Sequence, residues 1–217
     1  MSLIRVLFAL PLVAALALGP AAAWSRPTGI HEPPEAMVQS LYELVVARQP
    51  VGISTYGNHF LTYFSPYLSQ RLIHQIKLDR LCERDWFRQT HGRDEHGDVV
   101  KPPYAWLELG LFSGAVEQSG PARFRITRSE PREDGSKSVY VSLAEWGLDA
   151  RGNLAPPNDR PPEERWDVAV RVVTEGGNPR VDDVVYLKGK YVDFESSLLG
   201  YLKMGCRGSR WVGRPLY

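Results

Sequence analysis

Cysteine, net charge and long apolar runs are all scarce in this chain of 217 residues. Two Cys residues cannot build a disulfide-rich scaffold. Lys plus Arg number 26 and Asp plus Glu 25, a net charge of +1. A nucleic-acid surface needs a clustered excess of Lys and Arg, so no nucleic-acid partner is expected. The one extended apolar run, Val6 to Leu18, is about 13 residues long, short of the roughly 20 that span a bilayer. No integral membrane segment is therefore expected once it is removed. Several catalytic templates are missing as well. There is no Gly-x-Ser-x-Gly elbow, and Ser113 in Gly110-Leu-Phe-Ser-Gly has the wrong spacing for one. Glycine loops for phosphate or a dinucleotide are absent, and no cofactor is implied.

What is present begins with an address. Residues 1–23, MSLIRVLFALPLVAALALGPAAA, carry one charge, Arg5, then the apolar run, then small residues at Ala21 to Ala23. That is the pattern of a secretory signal peptide, with cleavage expected before Trp24. No Asn-x-Ser/Thr sequon occurs, which suits a bacterial periplasmic or secreted protein. The rest, 24–217, then holds 25 charges of each sign, six Trp and ten Tyr. It is long enough for one domain with its own core, expected over about 34–206. Export would place Cys82 and Cys206 in an oxidising compartment. A disulfide between them is the preferred reading over a catalytic thiol or a metal pair, because neither Cys has a base nearby in sequence.

Along the chain, helical periodicity comes first and alternation second. Met37, Leu41, Leu44 and Val45 make the apolar stripe of a helix with Pro in its first turn. Asn58 is placed to cap a short helix through Phe64. Ser65-Pro66 reads as an N-cap and first helical position, with Leu68, Leu72, Ile73 and Ile76 inward. Helical pattern resumes from Leu78 to about Gln89, with Leu81, Cys82 and Trp86 inward. Residues 91–103 read as a surface loop. Strands are expected over Ala122–Glu130, Ser138–Glu145, Arg165–Thr174 and Val181–Leu187, with turns at 131–136 and 176–179. A long loop over 147–163 and a helix from Phe194 to Met204 complete an α+β order of N-terminal helices, antiparallel sheet and short closing helix.

The helix opening Pro34-Glu35-Ala36, the segment Leu68 to Leu72, Trp166 on a strand and Val181-Asp182-Asp183-Val184 together resemble an exported bacterial family, domain of unknown function 3828. That family is placed in the nuclear-transport-factor-2-like (cystatin-like) superfamily. The resemblance covers roughly 34–206. It implies helices packed in the concave face of a curved antiparallel sheet, a cone, and a secreted address; it implies no reaction.

Asp182 and Asp183 are the most telling carboxylates. Strand neighbours face opposite ways, so one of them is expected to point inward. Inside an apolar cone it would have a raised pKa and act as a general base, with a tyrosine such as Tyr63 as donor. The competing reading is an Asp bonded to backbone or paired with Arg165 or Arg171. Tyr42, Tyr67, Trp106 and Trp146 are candidates to line a ligand pocket, although Tyr42 and Trp166 also fit buried stripes. His91, Asp94, Glu95, His96 and Asp98 lack metal-ligand spacing, and no metal site is expected. His59 and His74 are expected to be partly buried on helices. Arg207, Arg210 and Arg214, beside Trp211, read as a solvated surface with some capacity for an anionic partner. The function expected from these residues is a non-catalytic binding module for a small ligand or an envelope protein. An acid–base enzyme of isomerase or dehydratase type is the alternative.

Overall fold

The computed structural model of the chain describes residues 32–52, 59–93, 96–98, 109–115, 120–145, 165–187 and 196–213. By contacts the chain divides into Met1–Ile30 and His31–Tyr217. The expected signal peptide, the Asn58 cap, most of the loop 91–103 and the whole loop 147–163 lie outside the described residues.

Helix α1, Pro34–Arg48, starts with Pro in its first turn and buries Met37, Val38, Leu41, Tyr42 and Val45. Pro supplies a helical φ where no backbone donor is needed. The helix stops at Gln49 in the left-handed region (φ 47°), an unusual place for a non-glycine residue. The Gln49 side-chain amide secures the turn by donating to Val46 O at 2.9 Å and Pro121 O at 2.8 Å. Helix α2, His59–Phe64, buries Phe60 and Phe64.

The next helix corrects the expected boundaries. Ser65–Tyr67 forms only a 3-10 turn, and Leu68 is extended. The cap is Ser69, whose hydroxyl accepts from Leu72 N at 3.0 Å. From there α3 runs unbroken over Gln70–Thr90, because nothing around Lys77-Leu78 breaks a helix. Leu68 is buried off the helix, in a parallel bridge to Val181. Leu72, Ile76, Cys82 and Trp86 face inward. Leu81 does not: it is 46% exposed, about 100° round α3 from Cys82. His59 and His74 are also exposed rather than partly buried.

Five strands make an antiparallel sheet in the order β1-β2-β3-β4-β5. They are β1 Arg123–Pro131, β2 Lys137–Ala144, β3 Arg165–Glu175, β4 Asn178–Tyr186 and β5 Ser196–Ser197. Gly176 and Gly177, both at positive φ (57° and 77°), form the two-residue β3–β4 turn, where paired positive φ matches the strand twist. The inward faces of β2, β3 and β4 are Val139, Val141 and Leu143; Trp166, Val168, Val170 and Val172; Val181, Val184 and Tyr186. Helix α1 lies against β1, β2 and β4, closing the core.

The expected closing helix shrinks to α4, Leu198–Tyr201, after β5. Gly200 within the stretch and Gly205 just after it weaken a longer helix. Two short strands follow, β6 Cys206–Arg207 and β7 Arg210–Trp211, as a hairpin. This hairpin packs on α3 through a second small core of Cys82, Trp86 and Trp211, with Cys206 alongside. A Cys82–Cys206 disulfide joins the two across a sequence separation of 124.

In the chain-entropy picture a loop of that length is worth about 4–5 kcal/mol at most. Reduction, or paired Cys82→Ser and Cys206→Ser, is expected to lower the melting temperature. Unreduced protein should be about 2 Da lighter by intact mass, the two hydrogens lost in forming one bridge. Identical masses with and without reductant would remove the bridge.

Candidate functional site

The register of β3 and β4 slips where the candidate aspartates lie. Val172 faces Val181 and Arg171 faces Asp183, leaving Asp182 as the extra residue of a bulge. Val181 and Val184, three apart, can therefore both join the core. Strict alternation does not hold here. Asp182 is the buried member, 4% exposed, and it is turned towards the first turn of α3.

Both of its oxygens are engaged there. Asp182 Oδ1 accepts from Ser69 Oγ and Arg71 Nε, each at 2.8 Å. Its Oδ2 accepts from the Arg71 Nη2, which makes a two-pronged pair, and lies 3.8 Å from Arg171 Nε. Arg171 also pairs with Asp134 at 2.6 Å. Burial alone would raise the Asp182 pKa. The hydrogen bonds from Arg71 and Ser69, with the charges of Arg71 and Arg171, outweigh burial and hold the carboxyl below its usual range. A base poised near neutral pH needs the opposite shift. The geometry is that of a structural tie between α3, β3, β4 and the β1–β2 turn.

Asp183 is half-buried and local. Its Oδ1 accepts from Val184 N at 2.8 Å and Leu199 N at 2.9 Å, near the start of α4. Tyr63, the candidate donor, lies on α2 with the Arg48 guanidinium carbon 4.0 Å from its ring centre. Among the described residues no hydrogen bond joins Tyr63 to either aspartate. Tyr67 is half-buried against the core in the 3-10 turn. Trp106 and Trp146 lie outside the described residues, as do Asp94, Glu95 and Arg214. No group of three His, Cys, Asp or Glu is placed to hold a metal ion among the described residues.

The interior is occupied by the chain itself. A tight turn, residues 109–115, enters the core and offers three consecutive carbonyls to three aromatic tips. The Tyr186 hydroxyl donates to Leu111 O at 2.8 Å, the Tyr42 hydroxyl to Phe112 O at 2.7 Å, and Trp166 Nε1 to Ser113 O at 2.8 Å. The Phe112 ring lies 5.8 Å from that of Phe60 and 5.0 Å from that of Phe64. Tyr42 thus serves the core, and burial pushes its phenol pKa well up. Gly114 has φ +69°, and a Cβ there would stand 2.7 Å from the Tyr186 ring; glycine is the residue that fits.

A cleft of about 180 Å³ opens instead at one end of the sheet. It is lined by Arg123, Phe124, Arg125, Ser142, Ala144 and Arg165. The register sets Arg123, Ala144 and Arg165 in one row across three strands, with Arg125, Ser142 and Asp167 in the next. Among the described residues the cleft therefore carries three arginines, with the Asp167 carboxylate in the neighbouring row, at the two strand ends that flank 146–164. Alternation with Phe124 and Ile126 puts Arg123 and Arg125 on the outward face of β1, but only the strand order brings Arg165 beside them. Arg71 and Ser69, the partners of Asp182, had no signal beyond the Ser69 helix cap. No family model, no curated protein and no solved structure matches the chain.

Because the Asp182 pKa is lower in the folded state, its stabilisation is complete above the unfolded value of about 3.9. It is lost as pH falls through the folded value. Asp182→Asn is expected to cost about 2–3 kcal/mol near neutral pH. That is less than a fully buried pair, because Arg71 is half exposed to water. The variant should also flatten the acid limb of the stability–pH curve. An unchanged acid limb, measured by denaturant unfolding from pH 2 to 7, would contradict the tie.

Proposed function

We propose that the protein is an exported, periplasmic or secreted, non-catalytic binding module of nuclear-transport-factor-2-like architecture, related to the exported family of unknown function named above. The observation that carries the reading is the filled interior. The space a cone-type enzyme would use for substrate holds Phe112 and its turn, clamped by Tyr42, Tyr186 and Trp166. Among the described residues the buried strand carboxylate, Asp182, is ion-paired. The helix-then-meander order and the bulges in β1 and β4 support the curved-sheet architecture. The signal-peptide pattern of 1–23 supports export.

Binding then belongs on the surface, and the arginine cleft offers a place for it. Three arginines beside the Ser142 hydroxyl suit a small organic anion, a carboxylate or phosphate. Guanidinium groups recognise such anions through paired hydrogen bonds.

The test is a thermal-shift screen of small carboxylates and phosphates on the full chain. A ligand at a hundred times its Kd adds about 2.7 kcal/mol, roughly 5–10 °C for a domain of this size. Arg125→Ser is expected to abolish the shift without lowering the unliganded melting temperature. A screen in which no anion stabilises the protein, or in which Arg125→Ser responds like wild type, would reject the cleft as the binding site.

A further inference from the structure

The outer side of α3 carries a pattern that neither the core nor the arginine cleft uses. At about 100° per residue, Lys77, Arg80, Leu81, Arg84, Phe87 and Arg88 fall within an arc of roughly 120°. Asp79, Glu83 and Asp85 all fall outside that arc. Four cations and two large apolar side chains therefore share one stripe, and at its edge Asp85 pairs with Arg88 at 2.9 Å. The opposite stripe buries Ile76, Cys82 and Trp86, so the phase of the helix is fixed.

Exposure confirms that the stripe faces outward. Leu81 is 46% and Phe87 48% exposed, and the Arg88 side chain is 77% exposed. Leu81, Arg84 and Arg88 line an open cleft of about 420 Å³ together with Ser209 of the β6–β7 hairpin. The other large apolar side chains exposed among the described residues are Met204 at 36% and Val212 at 61%. Both belong to the segment that the disulfide holds against α3. All four of these exposed apolar groups thus lie in the unit built by the second half of α3 and the hairpin. Arg207 and Arg210 of the hairpin add to its positive charge.

We infer that this unit docks on an anionic lipid bilayer surface, with Arg84, Arg88 and their neighbours at the phosphates and Leu81 and Phe87 entering the headgroup layer. Charge complementarity argues for the occupant. A stripe with an excess of cations over the single Arg88–Asp85 pair, and with interleaved apolar side chains, matches an interfacial helix. Each basic group near a negatively charged leaflet adds attraction that salt weakens. The disulfide and the Cys82–Trp86–Trp211 core keep the apolar groups presented rather than collapsed inward. This inference is independent of the arginine cleft, with which it shares no lining residue.

The experiment is co-sedimentation of the full, oxidised chain with vesicles of phosphatidylcholine, with and without about one third phosphatidylglycerol. Binding is expected to the mixed vesicles and not to phosphatidylcholine alone, and to weaken on the order of tenfold between low and high salt. The pair Arg80→Gln and Arg84→Gln should weaken it on the order of tenfold. The pair Leu81→Ser and Phe87→Ser should weaken it while circular dichroism and the melting temperature hold. Arg125→Ser should bind vesicles like wild type, which separates this surface from the anion cleft. Equal binding to neutral vesicles, no binding to either, or no effect of these variants would overturn the inference. So would a stable dimer, seen by sedimentation without lipid, that Leu81→Ser dissociates.

Discussion

Three backbone carbonyls set the character of this molecule. Leu111, Phe112 and Ser113 enter the interior as part of a turn, where unpaired carbonyls would be costly. Tyr186, Tyr42 and Trp166 meet them one by one from β4, α1 and β3. Each aromatic contributes apolar area and one polar tip, so the same side chain fills space and satisfies the turn. With Phe112 packed against both Phe60 and Phe64, α1, α2 and the sheet share a single packed interior. Loss of this arrangement would leave polar groups buried and the helices without their seat.

A second constraint fixes α3 to that interior. Ser69 caps the helix and donates to Asp182. Ser69 N also donates to Val181 O at 2.8 Å. Glu175 accepts from the Gln70 amide at 3.0 Å, so donors at the exposed start of the helix find acceptors on β3 and β4. The carboxylate of Asp182 sits where a helix start favours negative charge. An Asp held this way is ionised and rigid, suited to tying elements together and unsuited to taking a proton at neutral pH. Catalytic and structural carboxylates differ here in what surrounds them, not in their place on a strand.

Much of the fold was legible because the patterns are strong and local. The α1 stripe, the four long strands, the glycine turn at 176–177 and the partners Cys82 and Cys206 all follow from periodicity, turn residues or compartment chemistry. What was not legible depended on contacts distant in sequence. The slip at Asp182 is a property of two paired strands, and a single strand read alone shows only alternation. Ser65-Pro66 and Ser69 both carry cap chemistry, and the docking of Leu68 beside Val181 decides between them. Leu81 reads as core by hydrophobicity, yet the helix turns Cys82 and Trp86 inward instead. The turn at 109–115 has no periodicity at all, and its role comes from the three aromatics that converge on it. The same holds for the arginine cleft, where Arg165 joins Arg123 and Arg125 only through the order of the sheet.

The central claim is that the interior is closed and that recognition takes place on the surface. Xenon is small and apolar and enters dry cavities. Methyl NMR under xenon pressure would therefore probe Leu41, Val141, Val168 and Val184 directly. The account predicts no saturable shift at these methyls, because the turn at 109–115 fills the space between them. Saturable shifts centred on them would reveal an open chamber between the helices and the sheet, and would return the acid–base enzyme to first place.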